Sequence, residues 1–104
     1  MIKVSILYPA SEGSRFDHDY YRDSHMPMVK AKLGPACLKY TIDQGVSNVA
    51  PGSAPPFHAI GALFFDSVDA FRSSITPHMQ EIGADIPKYT SVAPVMLVSE
   101  VIVG

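Results

Sequence analysis

FDHDYYRDSHMPMVKAKLG, Phe16 to Gly34, reads as a helix with a proline where a smooth helix would not tolerate one. Tyr21 and His25 are four residues apart, so they share a helical face one turn from each other. Pro27 offers no N–H and its ring would press on the carbonyl of Asp23, which predicts a kink or break near His25 and Met26. Asp17 supplies an N-cap oxygen, and Phe16 before it can staple onto Tyr21. Pro27 then sits in the first turn of a second piece, which stops at Gly34-Pro35.

On either side of this helix the pattern changes to period two. Ile2, Val4, Ile6 and Tyr8 alternate with Lys3, Ser5 and Leu7, and CLKYTIDQ (37–44) alternates again. GVSNVAPGSAPP (45–56) is a Gly/Pro/Ser loop, exposed and long for a connection in a compact domain. FHAIGALFF (57–65) is a third strand, apolar on both faces. Asp66 and Ser67 open a second helix whose stripe is Val68, Phe71, Ile75, Met79 and Ile82, bent or split at Pro77. Val92 to Val103 reads as a long fourth strand. The order strand, helix, strand, strand, helix, strand predicts a ferredoxin-like βαββαβ sandwich of the α+β class, one domain spanning 1–104, with both helices on one face of an antiparallel sheet. Two helices cover one face only, so the apolar third and fourth strands predict a second copy packed on the other: a homodimer enclosing a space between the sheets. The break at Met26-Pro27 is expected to aim His25 toward that space.

Composition narrows the partners. The net charge of −2 and the lack of a Lys/Arg cluster speak against nucleic acid. No apolar run reaches the ~18 residues that span a bilayer. The first residues are strand-like and carry no signal-peptide pattern, and the single cysteine, Cys37, allows no intramolecular disulfide, so the cytoplasm is the expected location. Cys37 reads as a small buried hydrophobe.

His25 is the candidate catalytic residue, because an imidazole can give or take a proton near neutral pH. Tyr21 would orient it or polarise a substrate oxygen. The competing reading is that His25 caps the broken helix through a freed carbonyl. Tyr20, about 100° from Tyr21, Met28 and His58 are the candidates for substrate contact; His58 faces the cavity in one strand register and the sheet edge in the other. His18 and His78 are expected to face solvent. No H-x-x-x-H pair, cysteine pair, phosphate loop or dinucleotide fingerprint is present, so neither metal nor cofactor is expected.

Phe16-Asp17, Tyr20-Tyr21 and His25-Met26-Pro27-Met28, followed by a strand and by Phe64-Phe65-Asp66-Ser67, resemble the EthD family of the dimeric α/β-barrel superfamily, named for a gene in a bacterial ethyl tert-butyl ether degradation cluster. The resemblance covers Ile2 to about Val103. It implies a two-chain barrel with a mostly apolar pocket in each protomer. The superfamily includes cofactor-free monooxygenases, cyclases, dehydratases, decarboxylases, lactone isomerases and haem enzymes, so the fold does not choose the reaction. Combined with the residues, it implies His acid/base chemistry on a small hydrophobic compound in catabolism or secondary metabolism: cofactor-independent oxygenation as an oxidoreductase, or dehydration or isomerisation as a lyase or isomerase. The alternative is a non-enzymatic ligand-binding or accessory protein of an ether- or xenobiotic-degrading oxygenase system.

Overall fold

The computed structural model describes residues 1–104. Four strands, β1 (Ile2–Pro9), β2 (Lys39–Gln44), β3 (Phe57–Phe65) and β4 (Val95–Glu100), form one sheet in the order β2-β3-β1-β4. Every neighbouring pair is antiparallel. The first helical run comprises α1 (His18–Tyr20), a π-helical turn (Tyr21–His25) and α2 (Met26–Leu33). The second comprises α3 (Val68–Ile75), a 3₁₀ turn (Thr76–His78) and α4 (Met79–Asp85). This is the ferredoxin-like α+β arrangement that the alternation of patterns predicts.

The helix starts follow their sequence signals. The Tyr20 amide donates to Asp17 Oδ1 at 3.1 Å, and the Phe16 and Tyr21 rings meet at 5.2 Å as the staple requires. Ser67 Oγ accepts from the Ala70 amide at 3.0 Å to start α3. Gly34 ends α2 with φ +65°, a value that favours glycine. Pro77 splits the second run at its 3₁₀ turn, where its missing N–H removes one bond of the helical ladder.

Pro27 does not break the first run. The Met26 amide donates to Tyr21 O, five residues back, and Met26 keeps helical angles of φ −66° and ψ −38°. The wider turn shifts the bonding register by one residue just before the proline, so the helical run continues through it. His25 is therefore inside a continuous helix and caps no broken end. Its backbone is helical and its side chain makes no cap hydrogen bond.

β4 is shorter than the expected Val92 to Val103. β1 begins at Ile2, whose partner is Glu100, so residues after Glu100 have no strand to pair with. Pro94 stands immediately before the other end, where it has no N–H for the ladder. β2 begins at Lys39, two residues later than expected. Cys37 lies just before it, buried, with its Sγ–H donating to Lys39 O at 3.3 Å.

Val4, Ile6 and Tyr8 of β1 point into the helix layer and join Leu63 and Phe65 of β3 with Tyr21, Met26, Val29 and Leu33 in the core. The opposite sheet face carries Leu7, Ile60, Val95 and Leu97, as the cross-strand register and the two-residue alternation require. Val95 and Leu97 are 56% and 59% exposed. Met96 and Val98 are exposed on the helix side as well, because the second helical run stands off from β4. That gap is the way into the site.

Core packing yields a first prediction. A Cβ on Gly61 of β3 would collide with the Tyr21 hydroxyl. Gly61→Ala is expected to destabilise the fold by about 1–3 kcal/mol. The Tyr21 hydroxyl is buried without a hydrogen-bond partner, so Tyr21→Phe should be neutral or stabilising by up to about 1 kcal/mol and should recover most of the Gly61→Ala loss in the double variant. Urea midpoints of the four proteins check this.

Candidate active site

An apolar pocket of about 190 Å³ lies between the helices and the sheet, beside β4. Ile6, Tyr8, Leu63 and Met96 form its floor on the sheet. His25, Met26 and Val29 form one wall, and Ile75, Met79, Ile82 and Ile86 the other. A shallower apolar depression adjoins it through Ile75, Met79 and Met96 and reaches Phe71 and Val98.

His25 therefore faces the helix side of its own sheet, and not the open sheet face to which a second subunit would be added. The expectation that it points into the space between two sheets is corrected by strand alternation: Ile6 and Tyr8, its neighbours in the pocket, are the helix-facing residues of β1.

His25 is 3% exposed, and its Nδ1 lies 2.9 Å from Asp85 Oδ2. Asp85 ends α4 and is itself 9% exposed. The Tyr20 hydroxyl donates to Asp85 Oδ1 at 2.8 Å, and Lys88 Nζ stands 3.4 Å from the same oxygen. Burial pushes the Asp85 carboxyl up, but the hydrogen bonds from His25 and Tyr20 and the nearby Lys88 outweigh it and hold the group below its usual range. An ionised carboxylate only accepts, so Nδ1 of His25 carries the proton and donates it. Burial moves the His25 imidazole below its ordinary value, against the pull of Asp85. The ring is then neutral at pH 7 with its lone pair on Nε2. The hydrogen bonds of the chain give Nε2 no partner, and the only fully buried side-chain polar atom without one is the Tyr21 hydroxyl. Nε2 therefore opens to the pocket.

Both shifts have the same sign for stability. The folded state holds each proton less tightly than the unfolded chain, so acid weakens the fold. The His25 contribution is complete above about pH 6.5 and is lost as pH falls through the lower folded value. The Asp85 contribution follows below about pH 4.

Tyr21 stacks on His25 with ring centroids 5.7 Å apart and planes 15° apart. The pair expected to share a face does share it, through the rings; the Tyr21 hydroxyl points at Gly61. Tyr20 reaches the site from the adjacent face by bonding Asp85, and its ring stacks on Tyr89. Met28 lies outside the pocket, in a surface depression with Glu81, Ala84, Asp85 and Lys88. His58 is also away from it: its Nε2 is 2.7 Å from Ser14 Oγ, and its ring stacks on Phe16. His18 packs on the same Phe16 at 4.7 Å and is half-buried. No residue of the 45–56 loop lines the His25 pocket.

Asp85, Tyr8 and Tyr89 do not stand out in the sequence as site residues. Asp85 left one signal. A carboxylate at the C-terminal end of a helix opposes the macrodipole and needs a compensating donor. The two tyrosines left none: Tyr8 is an ordinary position of the β1 alternation, and Tyr89 lies outside the helices and strands. No three His, Cys, Asp or Glu side chains gather to hold a metal, and no helix is long and apolar enough to cross a membrane.

The helix layer, the sheet order and the pocket beside His25 define a member of the ferredoxin-like α+β proteins. Residues 12–93 match the EthD domain, and the chain belongs to that family. It is similar to an EthD-like protein of Ralstonia eutropha, with 50% identity over 98% of this chain and 92% of that one and a TM-score of 0.94. An ethyl tert-butyl ether D (EthD) family protein of Bacillus halodurans superposes with a TM-score of 0.73 at 17% identity, over 96% of this chain and 97% of that one. A protein of Bacteroides fragilis, described as dimeric, of unknown function and with a ferredoxin-like fold, superposes at 0.57 with 14% identity over 95% and 94% of the two chains. No functionally curated protein matches.

Proposed function

We propose that this chain binds a small hydrophobic molecule in the His25 pocket and transforms it by acid/base chemistry at His25 without a cofactor. The observation that carries this reading is the imidazole fixed by Asp85 at Nδ1, with Nε2 unpartnered and open to an apolar pocket. Nε2 takes a proton from carbon next to a carbonyl, or from a phenol. The electron pair of the broken bond moves onto the substrate oxygen, and Asp85 stabilises the imidazolium that forms. The resulting enolate is the common entry to isomerisation by reprotonation elsewhere, to dehydration by loss of hydroxide, and to oxygenation with dioxygen as the oxidant. Tyr21 holds the ring by stacking, and Tyr20 holds Asp85. Met28 and His58 take no part in this reading, because neither lines the pocket.

The direct test is exchange of the C1 protons of 2-tetralone for deuterium, followed by NMR. Acceleration by the protein, lost in His25→Asn, supports the reading. Saturable binding of 2-tetralone with no exchange would replace it with that of a ligand-binding accessory protein.

The same proposal includes a homodimer built on the open sheet face. It is supported by the exposed Val95 and Leu97 and by the dimeric description of the Bacteroides fragilis protein. Leu97→Arg would place an unpaired charge in that interface and is expected to convert a dimer to a monomer by light scattering at micromolar concentration. A wild-type monomer would remove this part of the proposal. Work in the cytoplasm, in catabolism or secondary metabolism, belongs to the same reading, supported by the free thiol of Cys37.

A further inference from the structure

We propose that the Tyr8 hydroxyl donates a hydrogen bond to an oxygen of the bound molecule, so that the ligand presents an enolisable carbonyl or phenolic oxygen to Tyr8 beside the atom that His25 deprotonates. This rests on the acid/base reading and deepens it by fixing the substrate class and adding a second contact.

Of the 13 residues that line the pocket, His25 and Tyr8 alone carry polar side-chain atoms. Tyr8 is 1% exposed, and its hydroxyl is 2.6 Å from that of Tyr89. Its ring also packs on Tyr21 at 5.3 Å, so three phenols gather beside His25. All three are protonated at neutral pH, and burial pushes them further above the ordinary phenol range.

Three hydroxyl protons then share one hydrogen bond, between Tyr8 and Tyr89. When Tyr89 donates to Tyr8, the Tyr8 proton has no acceptor at hydrogen-bond geometry, the nearby unpartnered Tyr21 hydroxyl included. Tyr8 is the member of the pair that lines the pocket, and Tyr89 is not. An oxygen of the ligand is the acceptor this arrangement lacks. As His25 removes a proton, negative charge builds on that oxygen. A fixed donor in a dry pocket stabilises the charge more than it stabilises the neutral ground state. Tyr89 is a positioning residue in this scheme: it orients Tyr8 from behind and does not touch the ligand.

The experiment compares the binding of 4-nitrophenol with that of nitrobenzene, which lacks the hydroxyl. The wild-type protein is expected to prefer 4-nitrophenol, and Tyr8→Phe to cut that preference about tenfold, the effect of one hydrogen bond to a polar or charged oxygen. Nitrobenzene affinity should stay within about twofold, the sign of an intact apolar pocket. Substituting 3,5-difluorotyrosine at position 8, a near-isostere with a more acidic hydroxyl, should raise the preference and serves where the phenylalanine variant fails to fold. Equal affinity for the two probes overturns the proposal, as does a preference unchanged in either variant. Probe binding requires no proton abstraction, so failure of the acid/base reading shows separately, as absent 2-tetralone exchange with the Tyr8-dependent preference retained.

Discussion

His25→Asn is expected to slow protein-catalysed deuterium exchange of 2-tetralone by about 10²–10⁴-fold, the range a positioned general base supplies. Asparagine is the informative replacement. Its amide nitrogen stands where Nδ1 stands and can still donate to Asp85, which His25 meets at 2.9 Å. The ring nitrogen that opens to the pocket is the part it removes. Alanine would instead leave a buried carboxylate short of a donor, a loss of about 3–5 kcal/mol for a broken buried pair, which would confuse stability with chemistry. In the wild type the exchange rate should hold through neutral pH and fall on an acid limb centred below about 6.5, because burial lowers the His25 imidazole and the neutral ring is the active form. A rate that instead falls on an alkaline limb would mean that the protonated ring does the work.

Asp85→Asn should be nearly as damaging, about 10²–10⁴-fold, although Asp85 does not line the pocket. The carboxylate accepts from His25 and from Tyr20 on its two oxygens. An asparagine that keeps the Tyr20 bond with its oxygen must turn its amide N–H groups toward Nδ1. The imidazole then has to accept at Nδ1 and carry its proton on Nε2, which faces an acid toward the substrate in place of a base. The acid limb should also move to lower pH, since the carboxylate is the group that holds the His25 value up. Circular dichroism and the urea midpoint separate this effect from unfolding.

The fold was legible in the sequence because strands and helices leave different periods. Ile2 to Tyr8 alternates and Val68 to Ile82 steps by threes and fours, and each becomes the element its period names. The extent of β4 was not legible, because strand ends are set by the partner: apolar residues resume at Val101 to Val103 after Ser99 and Glu100, but β1 runs out at Ile2. The π-helical turn was also hidden. Pro27 announces that one bond of the ladder must go, and a kink and a one-residue register shift both satisfy that demand; the sequence does not distinguish them. His25 and Tyr21 were visible as an i, i+4 pair. Asp85 lies 60 residues from His25 and Tyr89 lies 81 from Tyr8, and pairs so distant leave no local pattern. The direction in which His25 points depended on which face of β1 the helices cover, and that is decided only when the layers pack.

The chemistry proposed for His25 depends on the protonation state of its ring. ¹⁵N NMR of the His25 imidazole at pH 7 reads it directly, through the shifts and proton couplings of the two nitrogens. The structure predicts a neutral ring with the proton on Nδ1 and a bare Nε2, titrating below about 6.5, and a switch to protonated Nε2 in Asp85→Asn. A ring protonated on both nitrogens at pH 7, or on Nε2 alone in the wild type, would contradict it.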